Sequence, residues 1–129
     1  MPIDVTAQLA RIAVTELLPA AIEGRFEPFA AAVHRYGRLA GEPFAPVSAI
    51  LPHAEVTARL FSTLEALDAT GTAQSSWGPT VMACCPSAEA AAELVRRFAA
   101  TDLASRYDTM VVAYERHGAA VRDLPAADR

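Results

Sequence analysis

Residues 73–85 of the chain read Ala-Gln-Ser-Ser-Trp-Gly-Pro-Thr-Val-Met-Ala-Cys-Cys, and this stretch decides the fold. Its two ends carry residues that are compatible with short strands, whereas the Trp-Gly-Pro run at its centre interrupts any regular element. The stretch therefore predicts two strands, over 73–76 and 80–85, that are joined by a tight loop.

The segment that follows supplies a helix and a third strand. Ser87 is a good N-cap, Glu89 suits the first helical turn, and apolar residues up to Phe98 recur at helical spacing. Residues 107–115 then alternate with apolar side chains on both faces, a pattern typical of a strand inside a covered sheet. We expect this strand to be the clearest in the chain.

Three helices are predicted before the strands, over 4–24, 27–40 and 52–71, because apolar residues recur there every third or fourth position. Pro19 predicts a kink or a break in the first helix, since it lacks an N–H group and its ring clashes with the preceding turn. Two prolines and a glycine predict a loop over 41–46.

Helices followed by strand, loop, strand, helix and strand form an α+β order with at least one crossover connection. We therefore expect a small, mainly antiparallel sheet with four or so helices packed on it. The 129 residues, of which 53% are hydrophobic and 20% charged, suit a single folded domain over 1–129. The charged residues 118–129 are predicted to form a loose tail.

Charge argues against several classes of partner. The formal net charge is −4, and no broad basic field is present, so we expect no nucleic-acid partner. All eleven basic residues are arginine, which excludes a lysine Schiff base or a lysine contact to phosphate in this chain.

Compartment can be inferred from the cysteines and the apolar runs. Cys84 and Cys85 are adjacent, and a disulfide between neighbours is strained, so free thiols in a reducing compartment are expected. The beginning of the chain does not resemble a secretory signal. Apolar runs are judged shorter than the roughly 20 residues of a membrane span. A cytoplasmic protein without a membrane partner is predicted.

The loop over 74–80 is the candidate binding site. Its backbone N–H groups, with the hydroxyls of Ser75 and Ser76, could cradle a phosphate or a carboxylate, or the serines could simply satisfy a hairpin turn. Trp77 could stack on a planar ring or close one end of the core. Both alternatives stay open for each feature.

Catalytic and metal-binding groups are not evident. Neither serine lies in a Gly-x-Ser-x-Gly sequence with a nearby histidine, so no nucleophile is assigned. The three histidines, His34, His53 and His117, are far apart in sequence and lack the spacing of a helical metal site. Cys84 and Cys85 alternate along a strand, so only one could face a given site. No metal is predicted.

The motif loop also carries a family resemblance. Residues 74–80, Gln-Ser-Ser-Trp-Gly-Pro-Thr, resemble the third conserved motif of the GHMP kinase superfamily. They are most similar to the beta-ribofuranosylaminobenzene 5'-phosphate synthase-like branch. Two further stretches fit that branch, namely Leu-Leu-Pro-Ala at 17–20 followed by Glu-Gly-Arg-Phe at 23–26, and residues 37–46. The resemblance spans about 4–121 and departs from the branch at 48–51.

The resemblance implies a C-terminal domain that packs beside a larger N-terminal domain to form a cleft. The substrate- or phosphate-binding residues that it implies are Gln74, Ser75, Ser76, Trp77, Gly78, Pro79 and Thr80. The family reaction joins a phosphoribosyl donor to an aromatic acid such as 4-aminobenzoate, in the biosynthesis of methanopterin-type one-carbon cofactors. Since nothing here resembles the phosphate loop of the N-terminal domain, the isolated chain is expected to be inactive and to hold no cofactor.

Three functional hypotheses follow from the resemblance. The first is a fragment or split subunit of the synthase-like enzyme, and the second is the ATP-binding part of a GHMP small-molecule kinase. The third is a non-catalytic dimerisation or binding module. ATP or phosphoribosyl pyrophosphate, with Mg²⁺, would be bound by a full-length relative. The implied partners are a small-molecule substrate and either a missing or separately encoded N-terminal domain or a second copy, through an apolar patch around Trp77 and residues 44–47.

Overall fold

The computed structural model describes residues 2–75 and 78–114, and this part of the chain has an α+β fold. Its four long helices are α1 (Ile3–Ile22), α2 (Phe26–Gly41), α4 (Ala54–Ala66) and α5 (Ala88–Ala99), with a short α3 (Ala45–Ser48) between them. Its two strands are β1 (Thr70–Gln74) and β2 (Val81–Cys84). The predicted class, helices packed with a small antiparallel sheet, is confirmed.

Helix α1 continues through Pro19, where a kink or a break was predicted. Between α-helical turns at each end it widens into a π-helical turn over Ala13–Leu17. A proline ring clashes with the carbonyl four residues earlier, which here belongs to Thr15. The wider turn lies over that carbonyl and accommodates the ring, so the helix does not end.

The continuity of α1 also corrects the judgement that every apolar run is too short for a membrane span. Within the described residues, α1 is the one helix that is long and apolar enough, with 20 residues and a mean hydropathy of 1.3. Only 17% of its most apolar window is buried in the domain. Leu9, Ile12 and Ala20 nevertheless lie buried on one side of it, so length and composition alone do not make it a membrane helix.

Residues 42–48 are helical, whereas a loop was predicted over 41–46. Glu42–Phe44 forms a 3-10 turn and α3 follows it directly. Pro43 and Pro46 each stand in the first turn of one of these elements, where the missing N–H group has no helical partner to lose. The two prolines therefore begin helical turns and do not exclude them.

Small residues bring α2 into close contact with β1. Ala30 and Ala32 are 1% and 0% exposed, and a Cβ at Gly37 would lie 2.9 Å from the Cβ of Ala73. Nδ1 of His34 lies 3.0 Å from the hydroxyl and 3.2 Å from the carbonyl oxygen of Thr72. This hydrogen bonding fixes the helix along the strand.

The two strands pair antiparallel, as predicted. Gln74 lies opposite Val81, and an irregularity between Thr70 and Ala73 shifts the register near the other end of the hairpin. A second part of the core packs α4 and α5 beside this hairpin. Its buried members are Leu60, Leu64, Phe98 and Leu103, with Leu67, Ala69, Val81 and Tyr107 partly buried against them.

The prediction of a strand over 107–115 is wrong for residues 107–114, which form no ladder, and residue 115 lies outside the described residues. Met110 and Val112 are 82% and 80% exposed, and Tyr114 is 74% exposed. Alternation of apolar residues shows that a segment suits a sheet, but a strand also needs a neighbouring edge. Without this strand, the expected crossover connection is also absent from the described residues.

Candidate functional site

The motif loop connects β1 to β2, and hydrogen bonds between its described residues close it. The Ser75 N–H donates to the Thr80 carbonyl at 2.9 Å, and the Gly78 N–H donates to the Ser75 carbonyl at 3.1 Å. The Gln74 side-chain amide donates to the Gly78 carbonyl at 2.8 Å. Ser76 and Trp77 lie outside the described residues, so their predicted roles are not addressed by these contacts.

These bonds bear on how the loop could bind an anion. A backbone cradle needs N–H groups that are not already used, and the N–H groups of Ser75 and Gly78 both donate within the loop. Pro79 has no N–H group to offer. Ser75 and Thr80 are exposed residues of the loop, and each carries a side-chain hydroxyl that can contact an anion.

A glycine in a tight loop often allows a close backbone approach that a side chain would oppose, but the described residues make no such approach to Gly78. A Cβ placed at Gly78 would lie 3.7 Å from the Ser75 carbonyl oxygen, an ordinary van der Waals contact. A strongly constrained glycine of the hairpin is Gly71, the second residue of β1. It has φ +58°, and a Cβ there would lie 2.7 Å from the Cβ of Cys84.

An open cavity of about 410 Å³ lies beside the motif loop. Three separate segments supply its walls: the turn before α4 with the first residues of that helix, the motif loop, and the chain after α5. The lining residues are Pro52, His53, Val56, Pro79, Arg106 and Tyr107. Pro79, which the sequence identified as a site residue, therefore shares one surface with five residues that the sequence did not identify as such.

Buried neighbours hold the cavity residues in place. Leu103 is 1% exposed, and the 3-10 turn Ala104–Arg106 follows it, with the Arg106 N–H donating to the Leu103 carbonyl at 2.9 Å. Tyr107 is half-buried and packs against the α4 and α5 core. Arg106 and Tyr107, which are adjacent in sequence, consequently both line the cavity.

Ion pairing distinguishes Arg106 from most other arginines. Of the eight arginines among residues 2–75 and 78–114, six pair with a carboxylate of the described chain, and Arg38 and Arg106 do not. Arg38 lies exposed on α2 and does not line the cavity. The positive charge of Arg106 is therefore not neutralised by any carboxylate in the described part of the chain.

A second cavity, of about 330 Å³, lies between α1 and α2 beside the π-helical turn. Glu16, on its wall, pairs with Arg35 and with Arg11, the latter at 3.5 Å. Arg25, also on its wall, pairs with Glu23 at 2.5 Å. Since both arginines on its wall are already paired with glutamates of this chain, this cavity is a poor site for an external anion.

The two cysteines are free, as predicted. Cys84 is buried with Sγ 3.7 Å from the hydroxyl of Tyr114, and this contact raises the pKa of that phenol. Cys85 is half-buried, and desolvation followed by the neighbouring Cys84 raises the pKa of its thiol. A raised pKa keeps Cys85 protonated, which argues against a nucleophilic role.

Metal ligands are not gathered in the described part of the chain, where no group of three or more His, Cys, Asp or Glu side chains could hold an ion. His34 bonds to Thr72, whereas His53 lines the cavity. His117 lies outside the described residues. The absence of a bound metal stays a prediction.

Fold and site together define a small α+β domain that presents a hairpin loop and an open cavity at the same end. The family model described as GHMP kinases C terminal matches residues 17–102, which is about two thirds of the chain. The chain therefore belongs to the GHMP kinase C-terminal family. Comparison with curated proteins and with solved structures found no match to the chain.

Proposed function

We propose that the chain forms one wall of the active cleft of a beta-ribofuranosylaminobenzene 5'-phosphate synthase-like enzyme. A GHMP N-terminal domain, carried by another chain or another segment, supplies the opposite wall and the phosphate loop. The membership of the C-terminal family supports the domain arrangement. The observation that carries the proposal is the position of Pro79, a motif residue, on the wall shared with Arg106 and Tyr107.

The chemistry of this wall suits the substrates of that reaction. A phosphoribosyl donor and an aromatic acid are both anionic, and a guanidinium binds phosphate or carboxylate through paired N–H donors. Tyr107 offers an aromatic face beside it. Arg106 would then hold an anionic group while the ring of the aromatic acid lies against Tyr107.

The openness of the cavity supports a shared site. Ligand pockets bury most of a small molecule's surface, whereas the cavity beside the motif loop is a depression open to solvent. A second domain over it would enclose the substrate and exclude water. The isolated chain is consequently expected to show no turnover, and we place the complete enzyme in the cytoplasm with no cofactor held by this chain alone.

Reconstitution tests the proposal. The chain is combined with a GHMP N-terminal domain, and product is measured with phosphoribosyl pyrophosphate plus 4-aminobenzoate, and separately with ATP plus candidate alcohols, each with Mg²⁺. Turnover in the first assay only supports the synthase-like role. Turnover in the second only would replace it with the kinase hypothesis, and turnover by the chain alone would refute the incomplete site.

Arg106→Gln and Arg38→Gln form a matched pair for the reconstituted enzyme, because each removes a charge that has no carboxylate partner among the described residues. Arg106→Gln should raise KM for the anionic substrate by about tenfold or more, which corresponds to the loss of one charge-assisted hydrogen bond of roughly 1.5–3 kcal/mol. Arg38→Gln should leave KM unchanged. Equal effects of the two changes would show that Arg106 does not line the substrate site.

A further inference from the structure

The outward side of α1 is apolar along its whole length. Its side chains lie opposite the buried side that packs against the domain, and Ile3 and Ile22, near its two ends, are 88% and 84% exposed. Val14 and Leu18, between them, are 64% and 50% exposed. We call this surface the outer stripe; it consists of Ile3, Ala7, Ala10, Val14, Leu18 and Ile22, all of which are exposed.

The π-helical turn keeps the outer stripe on one side of the helix. From Ile3 to Val14 the stripe recurs at alternating spacings of four and three residues, the repeat of a helix that packs along a partner helix. The next spacing in this alternation would be three residues, but Val14 and Leu18 are four residues apart, and the extra residue lies within the π-helical turn Ala13–Leu17. Because that turn holds more residues than an α-helical one, it absorbs the extra residue and returns Leu18 and Ile22 to the stripe.

The stripe is complementary to itself when two copies run in opposite directions. Isoleucines stand at the two ends of the stripe, the alanines Ala7 and Ala10 lie in its N-terminal half, and Val14 and Leu18 lie in its C-terminal half. An antiparallel arrangement of two copies therefore places each alanine opposite a larger side chain. A parallel arrangement would instead set alanine against alanine and leave a gap. The antiparallel layers are Ile3 with Ile22, Ala7 with Leu18, and Ala10 with Val14.

We propose that two copies of this chain associate through α1, packed antiparallel along the outer stripe about a two-fold axis. Such a contact uses the same surface on both copies. Arg11, a charged residue beside the stripe, pairs with Glu16 of its own chain at 3.5 Å, and the stripe itself contains no charged residue. A lipid surface is a poorer occupant, because membrane-surface helices carry a basic polar face, whereas this chain is acidic with a net charge of −4.

Sedimentation over a concentration series tests the association. The wild-type chain should pass from monomer to dimer, and Leu18→Glu should weaken the dimer at least tenfold. Gln8→Glu adds the same charge to an exposed position of α1 outside the stripe and should leave the dimer intact. Far-UV circular dichroism and thermal melting of each variant show whether the domain remains folded.

Cross-linking tests the direction of packing. In a Cys85→Ser background, chains with Ala7→Cys are mixed with chains with Leu18→Cys and oxidised. The antiparallel arrangement predicts a disulfide between positions 7 and 18 of different chains, whereas neither variant alone should cross-link. A wild-type chain that stays monomeric, a link between two copies of position 7, or binding to neutral vesicles as a monomer would each overturn the proposal.

Discussion

Gly71→Ala should be among the most destabilising single changes in the hairpin. The backbone at Gly71 has φ +58°, a region in which an L side chain costs about 1–2 kcal/mol. The new Cβ would also lie 2.7 Å from Cys84 Cβ and 3.2 Å from the Cα of Ala30. Because the Ala30 contact is backbone and Cys84 is buried, neither can move freely, and overpacking of this kind costs roughly 1–3 kcal/mol.

The two costs together predict a loss of about 3 kcal/mol in the free energy of unfolding. For a domain of this size that corresponds to a fall in Tm of roughly 10 °C. Thermal melting followed by circular dichroism measures it. Gly71→Asn separates the causes, since asparagine tolerates this φ but still brings the Cβ into contact.

Gly41→Ala is the matched control for this prediction. Gly41 ends α2, and a Cβ there would meet nothing within 4 Å. Removing a glycine from a helix should therefore raise stability by about 0.5–1 kcal/mol. If Gly71→Ala melts within about 2 °C of the wild type, less than a 1 kcal/mol loss would produce, the close approach of α2, β1 and β2 is not as described.

Three further predictions concern single side chains. Thr57→Val should raise the free energy of unfolding by about 1 kcal/mol in a denaturant titration, because the buried Thr57 hydroxyl has no hydrogen-bond partner among the described residues, and a loss would show that a partner exists. Ser87→Ala should lower the free energy of unfolding by about 1 kcal/mol, since the Ser87 hydroxyl accepts a hydrogen bond from the Ala90 N–H at 3.2 Å. The same change should raise the pKa of Glu89, which the Ser87 hydroxyl lowers, and an NMR titration would detect the shift. Iodoacetamide should label Cys85 with a midpoint at higher pH in the folded chain than in the urea-unfolded chain, because desolvation raises the pKa of this thiol. Since the thiol of the unfolded chain ionises first, this contribution to stability is present at lower pH and is lost as pH rises above the unfolded pKa. An equal midpoint in the two states would contradict the prediction.

Periodicity predicted the presence of the helices and the hairpin, because both are encoded by neighbours in sequence. It extended the third helix to residue 71, although that helix ends at Ala66, and it began the first strand at residue 73, although β1 begins at Thr70. The bounds of α2 and the Ser87 cap needed only local spacing and one hydroxyl. The segment 107–114 was predicted incorrectly because a ladder depends on a second edge, which local alternation does not specify. The helical turns over 42–48 were missed because proline interrupts an element in its interior but suits its first turn.

The candidate site was predictable only in part. The motif loop is continuous in sequence, so its composition and family resemblance identified it. Arg106 and His53 are separated from it along the chain, and only folding brings them to the same cavity. The available signal was the pair Arg106-Tyr107 a few residues after α5. Such a pair is also common on solvated surfaces, so the sequence could not distinguish a binding site from an ordinary surface.

The proposed association and the proposed substrate binding would use different surfaces of this domain. The sequence placed the apolar patch around Trp77 and residues 44–47; there Phe44 is half-buried and Val47 is 45% exposed, whereas the residues of the outer stripe at the ends of α1 are nearly fully exposed. None of the six residues that line the cavity belongs to α1. A change in the stripe should therefore alter association without altering the cavity wall, and Arg106→Gln should do the reverse. Because the cavity beside the motif loop contains no residue of α1, the two proposals can be true together and can fail separately.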